Sequence, residues 1–150
     1  MSAFLYDTNC LLALYLEPHA SHAATLADWQ RRTQARQEMV CAMPCVVECY
    51  AVMTRMPEPL RFSPSEAWAL LEANLKGRRL VGLTAEETWR ELRGAAAEGL
   101  GGGLVYDALI AACARKAGAG ALVTWNLRHF ARLAHGLEVV NPLGERAAAG

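Results

Sequence analysis

The segment Ala3-Phe4-Leu5-Tyr6-Asp7-Thr8-Asn9, continuing as Cys10-Leu11-Leu12-Ala13-Leu14, changes character at Asp7. Four apolar residues in a row read as a strand buried on both faces, as a central strand of a parallel sheet requires. A carboxylate stands at its end. Thr8-Asn9 then open a helix over Cys10 to Leu16, which Pro18 stops. A strand that passes straight into a helix is half of a β–α unit, and the rest of the chain repeats the alternation.

Ser21 to about Arg36 reads as a second helix, with Ala24, Leu26 and Trp29 among its apolar positions. Met39-Val40-Cys41-Ala42 reads as a strand ended by Pro44, and the pattern turns helical again from Cys45, with Glu48 in its first turn or two. Ser63-Pro64-Ser65-Glu66 has a capping Ser, Pro at the first helical position and Glu at the third, and Thr84-Ala85-Glu86-Glu87 repeats that chemistry. Leu80 to Leu83 lies between them as a strand. Gly99 to Gly103 is a loop, Tyr106 to Lys116 a helix closed by Gly118, and Ala121–Thr124 and Glu138–Val140 are further strands. The alternation predicts an α/β sandwich around a mostly parallel sheet, as one domain over residues 1–143, with 144–150 as a flexible tail. No internal repeat is visible.

A length of 150 residues with 53% hydrophobic content suits one domain with a proper core. No apolar run approaches the ~18 residues of a membrane span; the nearest, Met39 to Met53, is interrupted by Pro44 and Glu48. The start lacks the pattern of a signal peptide, so a cytoplasmic protein is expected. Five cysteines (Cys10, Cys41, Cys45, Cys49, Cys113) are an odd number in apolar surroundings, and read as reduced, buried thiols. Cys41, Cys45 and Cys49 lack the spacing and the histidine pair of a zinc site, and small core residues are the better reading. Fifteen basic residues balance fifteen acidic ones. That excludes a protein that coats long nucleic acid non-specifically, while leaving room for a local basic rim.

The oxygen-bearing side chains are the informative ones. In a parallel α/β sheet, ligands bind beyond the carboxyl ends of the strands. Asp7 follows the first strand, Asn126 follows Ala121–Thr124, Glu48 follows Met39–Ala42, and Asp107 sits near a helix start. Convergence of the four at one end of the sheet is the topological expectation. Three carboxylates brought together raise one another's pKa until a cation binds, and hard oxygen ligands suit Mg²⁺ or Mn²⁺. Such an ion serves phosphodiester hydrolysis. Each residue also has a plainer reading: Asp7 and Asp107 as helix caps or dipole partners, and Glu48 as an ordinary polar position. Against that, Asp7 and Glu48 follow apolar runs that look buried, where an unpaired charge is expensive.

Four stretches together resemble the PIN domain, in particular the VapC toxins of VapBC toxin–antitoxin pairs. They are Phe4-Leu5-Tyr6-Asp7-Thr8-Asn9, Val46-Val47-Glu48 with Arg55 downstream, Tyr106-Asp107-Ala108-Leu109-Ile110-Ala111-Ala112, and Leu122-Val123-Thr124-Trp125-Asn126-Leu127-Arg128-His129-Phe130. The resemblance runs from Ala3 to Pro142. It implies a three-layer α/β/α sandwich with about five short strands, and a metal-dependent endoribonuclease that leaves a 5′-phosphate and a 3′-hydroxyl. It also implies catalytic Asp7, Glu48, Asp107 and Asn126, with the three acids on Mg²⁺ or Mn²⁺. Asn126 stands where the family commonly has a fourth acid, so one metal, or a weaker second one, is expected. Thr8, Asn9 and Thr124 are placed to hold ligands or waters, and Arg128 and His129 to face the scissile phosphate. Helix capping, strand-end hydrogen bonds and a solvated short helix are the plainer readings of those five. Of the four tryptophans only Trp125 falls near the site; Trp29, Trp68 and Trp89 read as core or interface. The partners implied are an RNA substrate, a VapB-like antitoxin filling the acidic groove, and a second copy in a homodimer.

The alternative is a PIN-like module that binds RNA or protein without cutting, kept open by Asn126. A haloacid-dehalogenase phosphatase would also start from an aspartate after a strand, but needs a second Asp where this chain has Asn9.

Overall fold

The computed structural model describes residues 2–148. Five strands and seven helices alternate: β1 (Ala3–Tyr6), α1 (Thr8–Tyr15), α2 (His22–Gln34), β2 (Glu38–Ala42), α3 (Met43–Arg55), α4 (Pro64–Leu75), β3 (Arg79–Val81), α5 (Ala85–Ala97), α6 (Leu104–Lys116), β4 (Ala121–Val123), α7 (Leu127–Phe130) and β5 (Glu138–Val140). The strands lie in the order β3-β2-β1-β4-β5, and every neighbouring pair is parallel. Helices complete a three-layer α/β/α sandwich, as expected.

β1 is the central strand, and Phe4, Leu5 and Tyr6 on it are at most 1% exposed. Ala121, Leu122 and Val123 of β4 are buried beside them, so the two strands read as unbroken apolar runs because both faces are covered. β3 is an edge strand, and its exposed Arg79 suits an unpaired sheet edge. Tyr6 also holds a helix: its hydroxyl donates to Oδ2 of the buried Asp28 of α2 at 2.7 Å. Arg31 and Arg32 pair with the same carboxylate at 3.0 and 2.9 Å, and the Arg32 guanidinium lies 5.0 Å from the Phe4 ring centre. A buried charge tolerates such a place only when so partnered.

The helix starts follow the sequence chemistry. The Ser63 hydroxyl accepts from the Glu66 amide at 3.2 Å, and Thr84 accepts from the Glu87 amide at 3.1 Å. Gly118 takes a positive φ of 69° just past α6. One junction differs from the reading of the sequence. Pro44 does not separate strand from helix, because β2 ends at Ala42 and α3 begins at Met43. Proline is at home in a helix's first turn, where no amide proton is needed. β3 is likewise offset: Gly82 and Leu83, expected in the strand, follow it.

All five cysteines are free and buried. Burial pushes the Cys41 and Cys113 thiols up to about 11 and the other three upward as well. Such thiols stay protonated and inert. The segment beginning at Gly144 runs back along the sheet: Arg146 bridges antiparallel to Val140, and the Ala147 amide donates to the Val139 carbonyl at 2.9 Å. Residues 149–150 of the expected tail lie outside the described residues. No described helix is long and apolar enough to cross a membrane.

Candidate active site

The strand order fixes where a site can form. From β1 the chain steps to β2 and β3 on one side, then returns to place β4 and β5 on the other. The crevice between β1 and β4, beyond their carboxyl ends, is therefore the switch point of the sheet, where α/β proteins bind ligands. Asp7 and Thr124 are the first residues past those two strands. The Asp7 amide is still tied to the Val123 carbonyl at 2.9 Å, so both residues stand on rigid backbone.

Asp7 is 5% exposed. Its Oδ1 accepts from the Thr8 amide at 2.7 Å, so it does cap α1. Its Oδ2 accepts from the Thr124 hydroxyl at 2.8 Å. Thr124 is itself held by donors, with the Asn126 amide at 3.0 Å and Asn9 Nδ2 at 3.5 Å both reaching its oxygen. Asn9 Oδ1 accepts from the Trp125 amide at 3.2 Å. Glu48 sits in the second turn of α3, and its Oε2 accepts from the Thr8 hydroxyl at 2.9 Å. Thr8 and Thr124 thus each orient one carboxylate, and Asn9 steadies Thr124. Asp107 lies in the first turn of α6, partly buried, with Oδ2 3.7 Å from His129 Nδ1.

Asp7, Glu48, Asp107 and Asn126 all line one groove of about 1140 Å³. Convergence on a common groove is thus what the fold produces, but in a looser form than expected. Among the described residues, no three His, Cys, Asp or Glu side chains are grouped closely enough to enclose a metal ion as they stand. Asp7 and Glu48 each accept from a different hydroxyl, those of Thr124 and Thr8.

Burial lifts the Asp7 carboxyl from an ordinary 3.8 to about 6, with Asp107 and Glu48 adding to the effect and the Thr124 and Thr8 hydrogen bonds opposing it. Burial also raises Asp107, with His129 opposing and Glu48 reinforcing. Desolvation, rather than mutual repulsion, is therefore the larger cause at both, which corrects the emphasis taken from the sequence.

Other expectations shift as well. Glu48 is exposed at the groove, not buried behind its apolar run, because it occupies the outward face of α3. Arg128 is exposed and lies outside the groove, whereas His129 lines it. The spacing explains this: His129 stands three residues after Asn126 and shares its face of the short α7, and Arg128 does not. Trp125 turns away from the site, its indole N–H donating to Thr25 Oγ1 on α2 at 3.1 Å. Trp29 packs against the core, while Trp68 and Trp89 are 61% and 69% exposed. Arg55 and Tyr106, quoted above only within motifs, both line the groove. Arg55 follows Glu48 by seven residues on one helix, a spacing that gives a common face.

Known proteins share this architecture. The chain is 35% identical over 108 residues to Ribonuclease VapC27 of Mycobacterium tuberculosis, spanning 72% of this chain and 74% of the relative. It is 33% identical over 123 residues to Ribonuclease VapC40 of the same species, spanning 81% and 85%. The crystal structure of DNA-bound VapBC from Salmonella typhimurium superposes with a TM-score of 0.68 at 21% identity, over 95% of this chain and 99% of the matched chain, a likeness of fold. Residues 4–136 match the PIN domain, and the chain belongs to the PIN-domain family, among its VapC-type members.

Proposed function

We propose that this chain is a Mg²⁺- or Mn²⁺-dependent endoribonuclease, the toxin of a type II toxin–antitoxin pair acting in the cytoplasm. The observation that carries the reading is the groove at the switch point. It gathers Asp7, Glu48 and Asp107 from three different elements, and Asp7 is a buried carboxylate with two further acids as neighbours. The donor set fits a hard divalent cation, since every ligand offered is an oxygen and the surplus charge is negative. Asp7, Glu48 and Asp107 would hold the ion, and Asn126 would add a neutral oxygen, consistent with one metal rather than two. When bound, the ion activates water and neutralises charge developing on the scissile phosphate.

The chain's own groups supply the positioning. The Thr124 and Thr8 hydroxyls fix the free lone pairs of Asp7 and Glu48 toward the groove. Asn126 stands beside them to hydrogen-bond a water or a phosphate oxygen. His129 lies within reach of Asp107 and lines the same groove. The relatives named as ribonucleases support RNA as the substrate, and the two-part VapBC assembly supports a VapB-like antitoxin as the controlling partner. Exposed Met43, Val47 and Tyr106 beside the acids give a partner segment apolar ground. A homodimer is the expected assembly.

The test is cleavage of a mixed tRNA and rRNA pool by purified, antitoxin-free protein in Mg²⁺, Mn²⁺ or EDTA, beside Asp107→Asn. Discrete fragments that need both metal and Asp107 are the expected result. A folded protein that binds RNA but cuts none of it, in any metal, overturns the assignment in favour of a binding module.

A further inference from the structure

The groove carries an arginine that its acids do not use. Arg55, the last residue of α3, is the only Arg or Lys among the described residues lining the groove, and it is exposed. Several basic side chains elsewhere pair with carboxylates, Arg31, Arg32, Arg79, Arg90 and Lys116 among them, whereas Arg55 lies in a groove of acids without pairing to any of them. Arg55 makes no ion pair and no hydrogen bond among the described residues. It lies seven residues beyond Glu48, so it shares that residue's face of the helix, about 10.5 Å further along the axis. No ion pair with Glu48 forms, and Arg55 lines the same groove as the three acids.

We propose that Arg55 is a substrate anchor: its guanidinium grips a phosphodiester flanking the scissile one and sets the direction of the RNA strand along α3. The inference rests on the ribonuclease reading above. The charge pattern favours it. A polyanion approaching three carboxylates is repelled by them, and a cation outside the metal position eases its approach; Arg55 is the Arg or Lys that lines the groove among the described residues. Guanidinium geometry suits two oxygens of one phosphate. A flanking phosphate keeps its charge throughout the reaction, so Arg55 binds substrate and transition state alike. Its loss therefore appears in KM and not in kcat.

The experiment is initial-rate cleavage of the tRNA and rRNA pool over a range of RNA and KCl concentrations, with wild type, Arg55→Gln, Arg55→Lys and Arg93→Gln. Arg93 is an exposed arginine of α5 outside the groove. Arg55→Gln is expected to raise KM about 10- to 150-fold, the range for one charged hydrogen-bonded contact. Its kcat stays within about twofold of wild type. The slope of log kcat/KM against log salt falls by about 0.7, one phosphate contact on a single strand. Arg55→Lys keeps the charge but not the two-pronged geometry, so it restores the salt slope and only part of the KM loss, and Arg93→Gln behaves as wild type. A wild-type KM and salt slope in Arg55→Gln overturn the anchor while leaving the ribonuclease standing. So does a fall confined to kcat, which would mean that Arg55 interacts with the transition state and not with a flanking phosphate. Unchanged RNA kinetics with weakened inhibition by the antitoxin would assign Arg55 to the protein partner instead. Absence of metal-dependent cleavage by wild type overturns both readings.

Discussion

Replacing Asp7 by Asn is expected to stabilise the metal-free protein while destroying its activity. The buried carboxyl titrates at about 6 rather than 3.8. Its ionised form is therefore disfavoured in the folded state, and stability falls as pH rises from about 4 through 6. At ~1.36 kcal/mol per pH unit, the gap between the two values costs about 3 kcal/mol above pH 6. Asn removes that cost but cannot accept from both the Thr8 amide and the Thr124 hydroxyl as the carboxylate does, a loss of about 1 kcal/mol. The balance is a gain of about 2 kcal/mol, or about 4–8 °C in Tm for a domain of this size. Melting curves in EDTA between pH 4 and 8 measure it. The gain should be full at pH 7.5 and vanish near pH 4, where both side chains are neutral. Added Mg²⁺ should raise the wild-type Tm and leave the variant unmoved. A variant that melts below wild type at pH 7.5 in EDTA would refute the reasoning, since Asp7 would then be a stabilising helix cap and nothing more.

Removing the Thr124 hydroxyl, as in Thr124→Val, should weaken Mn²⁺ binding about 10- to 100-fold, because Asp7 Oδ2 loses its positioning donor; calorimetric titration reads the change. Metal affinity should climb with pH up to about 6 and then level off, because the Asp7 proton must leave before the cation binds; titrations at pH 5, 6 and 7.5 test that sign. Away from the site, Asp28→Ala leaves the buried Tyr6 hydroxyl without its acceptor and Arg32 without its carboxylate, and should cost about 3 kcal/mol in urea unfolding with the groove unchanged.

The fold was legible where local chemistry and burial agree. Apolar runs at β1 and β4 could only be strands covered on both faces, and Ser63 and Thr84 announced their helices because capping is a matter of four consecutive residues. The β2–α3 junction was misread for the same local reason: Pro44 suits a helix's first turn as well as a strand's end, and only the packing of α3 on the sheet chooses. The Asp28 network was invisible in the sequence as a network. The i+3 and i+4 arginines stand beside it, but Tyr6, 22 residues away, supplies the contact that buries it.

At the site, Asp7 and Thr124 were legible from their place after strands. Glu48 was placed correctly on the groove and wrongly in the interior, because a preceding apolar run buries one face of a helix and says nothing of the others. His129 in place of Arg128 was within reach of helical spacing from Asn126. The outward turn of Trp125 was not, since it depends on Thr25 from a different helix. Arg55 shares a face with Glu48 by sequence spacing alone, yet that it pairs with no carboxylate among the described residues is a property of the folded surface.

The central claim is that Asp7, Glu48 and Asp107 serve one cation. An Mn²⁺ titration followed by electron paramagnetic resonance, comparing wild type with Asp7→Asn, Glu48→Gln and Asp107→Asn, addresses it directly. The account predicts one site per chain in the wild type, and loss or at least tenfold weakening of that same site in each variant. Wild-type binding retained in any two of the three, or no Mn²⁺ bound by the folded wild type at pH 7.5, would contradict it.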